Sequence, residues 1–184
     1  MIDWPDSLVG DLARRRAIVV IGSGVSRHSM GDTGVRPPTW KAFLEKAVLD
    51  CPDKHFLAPV ERAIESGDYL HACEWLKKRF DESWVTYLRK TFSQPMFASA
   101  DVHQEILKLD SRIVFSLNFD DIYERHVNGI HRGSYIIKNY SDPDAAEFLR
   151  GDGRYIIKVH GNLNSPEHLI FTQKDYSRAR VSYT

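Results

Sequence analysis

Apolar positions along the chain follow two patterns, short unbroken runs rich in β-branched residues and longer stretches with a three-to-four residue repeat. The runs Ala17–Ile21, Arg112–Ser116 and Tyr155–Val159, and a shorter one at Tyr135–Ile137, read as strands, since a continuous apolar run suits a strand covered on both faces. Residues 3–16 read as an amphipathic helix opened by Pro5 and Asp6, with Leu8 and Leu12 on one side. Thr39 reads as the N-cap of a helix that begins Trp40-Lys41-Ala42-Phe43-Leu44. Between about 54 and 97 the pattern is wholly helical, with segments near 57–66, 68–79 and 82–92. Tyr69, Cys73, Leu76 and Phe80 keep the helical repeat there, as do Trp84 (or Val85), Leu88 and Phe92, and these side chains read as core. Helices are also predicted at His103–Leu109, at Asp121–Val127 and, opened by Asp142, at Pro143–Leu149.

Strands separated by helices predict an α/β fold: a Rossmann-like parallel sheet with helices on both faces. Residues 1–50 and 98–184 form the α/β domain in this reading, and 51–97 a helical insertion. In such sheets ligands bind where strands end at their carboxyl side. The first strand ends in Gly22-Ser23-Gly24-Val25-Ser26, a turn whose amides can approach a phosphate because no Cβ intervenes. A strand followed by Gly-x-Gly is also an ordinary connection, and the dehydrogenase fingerprint is not matched. Arg27 holds its third glycine position, and no acidic residue closes a second strand about 20 residues on. The Gly-, Ser-, Asp- and Pro-containing stretch Arg27–Pro38 reads as a surface loop and a candidate lid.

Two other strands end in polar residues that folding alone does not demand. Arg112–Ser116 runs into Leu117-Asn118-Phe119-Asp120-Asp121, and Tyr155–Val159 into His160-Gly161-Asn162. Asn118 and Asp120 could simply cap the next helix, and His160-Gly161 could be a plain turn. If the sheet is parallel, however, all three strand ends meet in one crevice holding an amide turn, a carboxamide, carboxylates and an imidazole.

Charge and cysteine content narrow the class. Lys plus Arg and Asp plus Glu balance at 25 each, so no overall field draws the chain to nucleic acid or anionic lipid, and Arg14–Arg16 and Lys77–Arg79 read as solvated helix ends. Cys51 and Cys73 cannot form a four-thiolate metal site and need no disulfide. Without a long apolar run or a leader-like start, the expectation is a cytoplasmic protein with no membrane span and no metal.

Three blocks, Gly22-Ser23-Gly24-Val25-Ser26, Ser116-Leu117-Asn118-Phe119-Asp120 and Lys158-Val159-His160-Gly161, resemble in order and approximate spacing the signature blocks of the sirtuin (SIR2) superfamily. The resemblance runs from about Ala17 to Tyr176. Sirtuin deacylases follow the His-Gly block with two Cys-x-x-Cys pairs that bind zinc, whereas here Asn162-Leu163-Asn164-Ser165-Pro166-Glu167-His168 follows. The Phe-Arg pair of the deacylase cofactor loop is replaced by Pro37-Pro38-Thr39-Trp40. The Pro-x-Trp, the Leu-Asn-Phe-Asp form of the second block and the run Leu169–Tyr176 are similar to the SIR2-like domains of bacterial antiviral defence proteins.

That resemblance implies an NAD⁺ hydrolase that forms ADP-ribose and nicotinamide, with Asn118 and His160 catalytic. It implies that Gly22, Ser23, Gly24, Ser26, Asp120 and Gly161 contact the dinucleotide, with Gly22, Ser23, Gly24 and Ser26 at the pyrophosphate. Asn118 would hold the ribose or orient water, His160 would act as general base, and Asp120 would orient its neighbours. The family fold usually adds a further strand, so the resemblance also implies a C-terminally incomplete domain, silent until it joins a second copy or an effector chain. An NAD-dependent protein deacylase and a non-catalytic NAD or ADP-ribose sensor are the alternatives.

Overall fold

A computed structural model of the chain describes residues 3–131 and 133–182. The elements run α1 (Asp6–Ala13), β1 (Ile18–Ile21), α2 (Ser23–Ser26), α3 (Trp40–Asp50), α4 (Ala58–Glu65), α5 (Tyr69–Phe80), α6 (Trp84–Phe92), α7 (Asp101–Lys108), β2 (Ile113–Ser116), α8 (Ile122–His131), β3 (Tyr135–Asn139), β4 (Arg154–Lys158) and α9 (Gln173–Ser182). The four strands form one parallel sheet in the order β1-β2-β4-β3, which is the α/β, Rossmann-like architecture expected from the alternating pattern. Their register matters most for the site: Ile21, Ser116 and Lys158 stand side by side on the last rung. The three segments carrying the chemistry therefore leave the sheet from one edge.

Side-chain alternation divides the strands between two faces. Val19, Ile21, Val114, Ile156 and Tyr135 pack beneath Ile106 and Leu107 of α7 and Tyr123 and Val127 of α8. On the other face Ile113, Tyr155 and Ile157 are buried, and the 3-10 turn Ala145–Leu149 lies over the sheet. Phe148 of that turn meets Phe115 at 5.7 Å and Tyr155 at 6.5 Å between ring centroids. The predicted helix over 143–149 is thus a shorter, tighter turn. The expectation that β1 is buried on both faces is corrected too. It is an edge strand, and Ile18 and Val20 are 49% and 59% exposed because nothing described covers them.

α3 to α6 form a helical layer with its own core. Phe43 and Leu44 of α3 pack with Val60 of α4, Leu76 and Phe80 of α5 and Trp84 and Leu88 of α6. The layer thus begins at Trp40, ahead of residue 51, because the Thr39 hydroxyl accepts the Ala42 amide at 3.2 Å and starts α3 there. Asp68 caps α5 in the same way, accepting from the His71 amide. Phe119, Leu163, Leu169 and Phe171 join this cluster from the sheet side, which fastens the layer over the carboxyl ends of the strands. Leu44, Leu76 and Leu88 are fully buried, so truncating any of them to Ala costs about 2–5 kcal/mol.

Candidate functional site

Between the sheet edge and the helical layer lies a cleft of about 210 Å³, lined from the polar side by Gly22, Ser23, Ser26, Asn118, Asp120 and His160. Its other wall is apolar and aromatic: Trp40, Phe43, Phe92, Phe119 and Phe171, with Pro37 and Pro38 at the rim. Phe119 and Phe171 stack at 4.2 Å, Trp40 meets Phe171 at 5.0 Å, and the His160 ring lies over Phe119 at 6.1 Å. Offset and tilted contacts of this kind favour a rigid wall.

The turn after β1 is wound more tightly than a loop. Gly22 is extended and caps α2, a single helical turn in which the Val25 amide already reaches back to the Gly22 carbonyl at 2.9 Å. The Ser23 and Gly24 amides precede any acceptor within that turn and so are available to an anion.

Ser26 is held differently from the phosphate contact expected of it. It is buried, its hydroxyl donates to Asp120 Oδ2 at 2.8 Å, and it accepts from Asn118 Nδ2 at 2.9 Å. This chain fixes the plane of the Asn118 amide and turns its carbonyl oxygen away from Ser26. Asp120 is also a helix cap, its Oδ1 accepting the Ile122 amide at 3.2 Å. Asp120 thus accepts both from the Ser26 hydroxyl and, as a helix cap does, from the Ile122 amide.

Behind Asp120 lies a buried charge pair. Lys158 Nζ is 2.8 Å from Glu124 Oε1, a charge contact, and its aligned hydrogen bonds go to the Asp120 carbonyl at 2.5 Å and Ser116 Oγ at 3.5 Å. Burial pushes the Glu124 carboxyl up from its ordinary range, and Lys158 opposes that push. The sequence places Lys158 in the block Lys158-Val159-His160-Gly161 and gives no sign of its buried pairing with Glu124.

His160 is fixed at both nitrogens. Nδ1 lies 3.0 Å from the Leu117 carbonyl, which can only accept, so Nδ1 carries the proton. Nε2 lies 2.9 Å from the Tyr176 hydroxyl, which donates to it. Burial holds the His160 pKa below the usual imidazole value, with the Leu117 bond acting the other way, and the ring is neutral at pH 7.

The cleft gathers six of the eight residues singled out from the sequence; Gly24 and Gly161 do not line it. Gly161 serves the turn itself, at φ +76° and with a Cβ position only 2.6 Å from the His168 carbonyl oxygen. The stretch 27–38 is only partly free to act as a lid. Met30 bridges to Ala98, Gly31 presses against the Pro95 carbonyl, and Pro37 and Pro38 are built into the rim. The aromatic wall and Tyr176 were not foreseen as site residues. A signal for α9 did exist in Thr172-x-x-Asp175, a reciprocal capping box: the Thr172 hydroxyl accepts the Asp175 amide at 3.1 Å, and Asp175 Oδ2 accepts the Thr172 amide at 3.1 Å.

Fold and cleft together define an α/β protein with a polar and aromatic site at the carboxyl edge of a parallel sheet. No protein-family model matches the chain, and no curated protein matches it. Among the described residues no group of three or more His, Cys, Asp or Glu side chains could hold a metal ion, and no helix is long and apolar enough to cross a membrane.

Proposed function

We propose that the protein hydrolyses NAD⁺ to ADP-ribose and nicotinamide, as a SIR2-like defence effector. The observation that carries this reading is the single cleft lined by the Gly22-Ser23 turn, the Asn118 carboxamide and the His160 imidazole, residues from three separate strand ends. The three sequence blocks that resemble the sirtuin superfamily supply the substrate. The volume fits that choice in part: at about 210 Å³ the cleft is below the roughly 300 Å³ of a complete drug-sized pocket. It holds the reacting ribosyl-nicotinamide half, and the adenosine half lies along the open side.

In the proposed step the C1′–N bond breaks with its electron pair moving to the nicotinamide nitrogen, which leaves neutral. The water oxygen bonds to C1′, and its proton passes to His160 Nε2 and then to solvent. The Asn118 carbonyl oxygen, set by the Ser26–Asp120 chain, orients the water or a ribose hydroxyl. The Ser23 and Gly24 amides face the diphosphate. The Trp40, Phe119 and Phe171 wall takes the nicotinamide ring and excludes competing water. Association with a second copy or an effector chain belongs to the same proposal.

One observation favours a binding-only sensor: the lone pair of His160 Nε2 is engaged by Tyr176. Incubation with NAD⁺ and separation of products decides between them. Equimolar nicotinamide and ADP-ribose support hydrolysis; NAD⁺ bound but unchanged supports the sensor. Nicotinamide released only when an acyl-lysine peptide is added would instead identify a deacylase.

A further inference from the structure

A base that takes a proton needs a lone pair facing the donor, and in His160 that lone pair is occupied. The Leu117 carbonyl fixes the proton on Nδ1, so Nε2 is the only basic nitrogen, and the Tyr176 hydroxyl donates to it at 2.9 Å. Tyr176 is not among the side chains that line the cleft. Its ring meets the imidazole edge-on at 5.5 Å.

The helix that carries Tyr176 is lightly attached. Along α9 from Gln173 to Val181, Asp175 is the one buried residue, and Tyr176 and Val181 are 37% and 83% exposed. Asp175 fixes the first turn by accepting the Phe171 and Thr172 amides and by pairing with Lys77 at 3.4 Å and Arg178 at 3.3 Å. Beyond that anchor little apolar surface holds the helix down, and segments with few buried contacts open at low free-energy cost.

We propose that Tyr176 is a latch on His160: its hydroxyl masks Nε2 in the resting protein, and α9 must release it before the imidazole can take a proton from a substrate. The inference rests on the role given to His160 above and adds its regulation. Release moves no covalent bond. The tyrosine hydroxyl turns from Nε2 to water, and the Nε2 lone pair is left unoccupied with Nδ1 still held by Leu117.

The test uses diethyl pyrocarbonate, which acylates the unprotonated imidazole nitrogen, on the whole chain and on Tyr176→Phe. Modified His160 is quantified by peptide mass spectrometry, with the exposed His55 and His71 as internal references. Phenylalanine keeps the ring contact and removes only the donor, and an unchanged melting temperature certifies the fold. The latch predicts acylation of His160 about three- to tenfold faster in the variant, the range expected when a hydrogen bond of ordinary strength is removed. It also predicts faster nicotinamide release from NAD⁺. Equal acylation rates in the two proteins overturn the latch. Faster acylation with slower nicotinamide release overturns it as well, by making Tyr176 a participant in turnover. Faster acylation with no nicotinamide from either protein contradicts the hydrolase reading, while the masking of Nε2 by Tyr176 stands.

Discussion

Replacing Ser26 by alanine removes a single oxygen, and the geometry states what that oxygen does. It is buried at 2% exposure between two partners that have no other use for it, the Asn118 Nδ2 donor and the Asp120 Oδ2 acceptor. A hydrogen bond to a charged group contributes about 1.5–3 kcal/mol and a neutral one about 0.5–1.5 kcal/mol. Partial relaxation, with Asp120 still capping Ile122, brings the expected loss to about 2–3 kcal/mol, toward the lower half of the summed range. For a chain of this length that corresponds to a fall in melting temperature of roughly 5–10 °C. Differential scanning calorimetry gives the loss directly, and a cycle with Asp120→Asn shows whether the two residues are coupled. Ser23→Ala, at an exposed position of the same turn, leaves the melting temperature unchanged. If Ser26→Ala melts with the wild type but loses NAD⁺ affinity in titration calorimetry, Ser26 is a direct ligand and the bridging role is refuted.

Three further outcomes follow from the same geometry. Lys158→Met leaves the Glu124 carboxylate buried without its cation and destabilises the fold by about 3–5 kcal/mol, and adding Glu124→Leu restores most of it; urea midpoints check this, and equal losses in single and double variants would contradict the pairing. Gly161→Ala meets the His168 carbonyl at a left-handed backbone and costs about 2 kcal/mol or more, whereas Gly24→Ala, with nothing within 4 Å of its Cβ, is neutral or stabilising by up to about 1 kcal/mol, both read from melting temperatures. The His160 pKa lies below its unfolded value, so its contribution to stability is complete above about pH 6.5 and is lost as pH falls through the folded value. A nuclear magnetic resonance titration of His160 with a midpoint at or above 6.5 would contradict that direction.

What could be read from the sequence depended on how local the cause was. Thr39 announces α3 because capping involves residues three apart. The runs at 112–116 and 155–159 announce β2 and β4 because both strands lie inside the sheet. The run at 17–21 has the same composition but sits at an edge, and strand order is decided by crossovers that no local pattern encodes. Within the site, Asn118 and His160 were visible as polar residues at strand ends. The wall opposite was not, since Trp40, Phe43 and Phe92 have the spacing of ordinary core residues, and only the packing of α3 and α6 over the strand ends turns them toward a cleft. Ser26 looked like one more residue of a phosphate turn; that its hydroxyl faces inward to Asp120 depends on a partner 94 residues away.

The most direct test compares nicotinamide release from NAD⁺ by the wild-type chain, Asn118→Ala, His160→Ala and the double variant under one set of conditions. The account predicts that each single change removes most of the turnover and that the double loses little more, as residues acting on one ribose behave as a unit. Turnover that survives either substitution, or losses that multiply in the double variant, would contradict it.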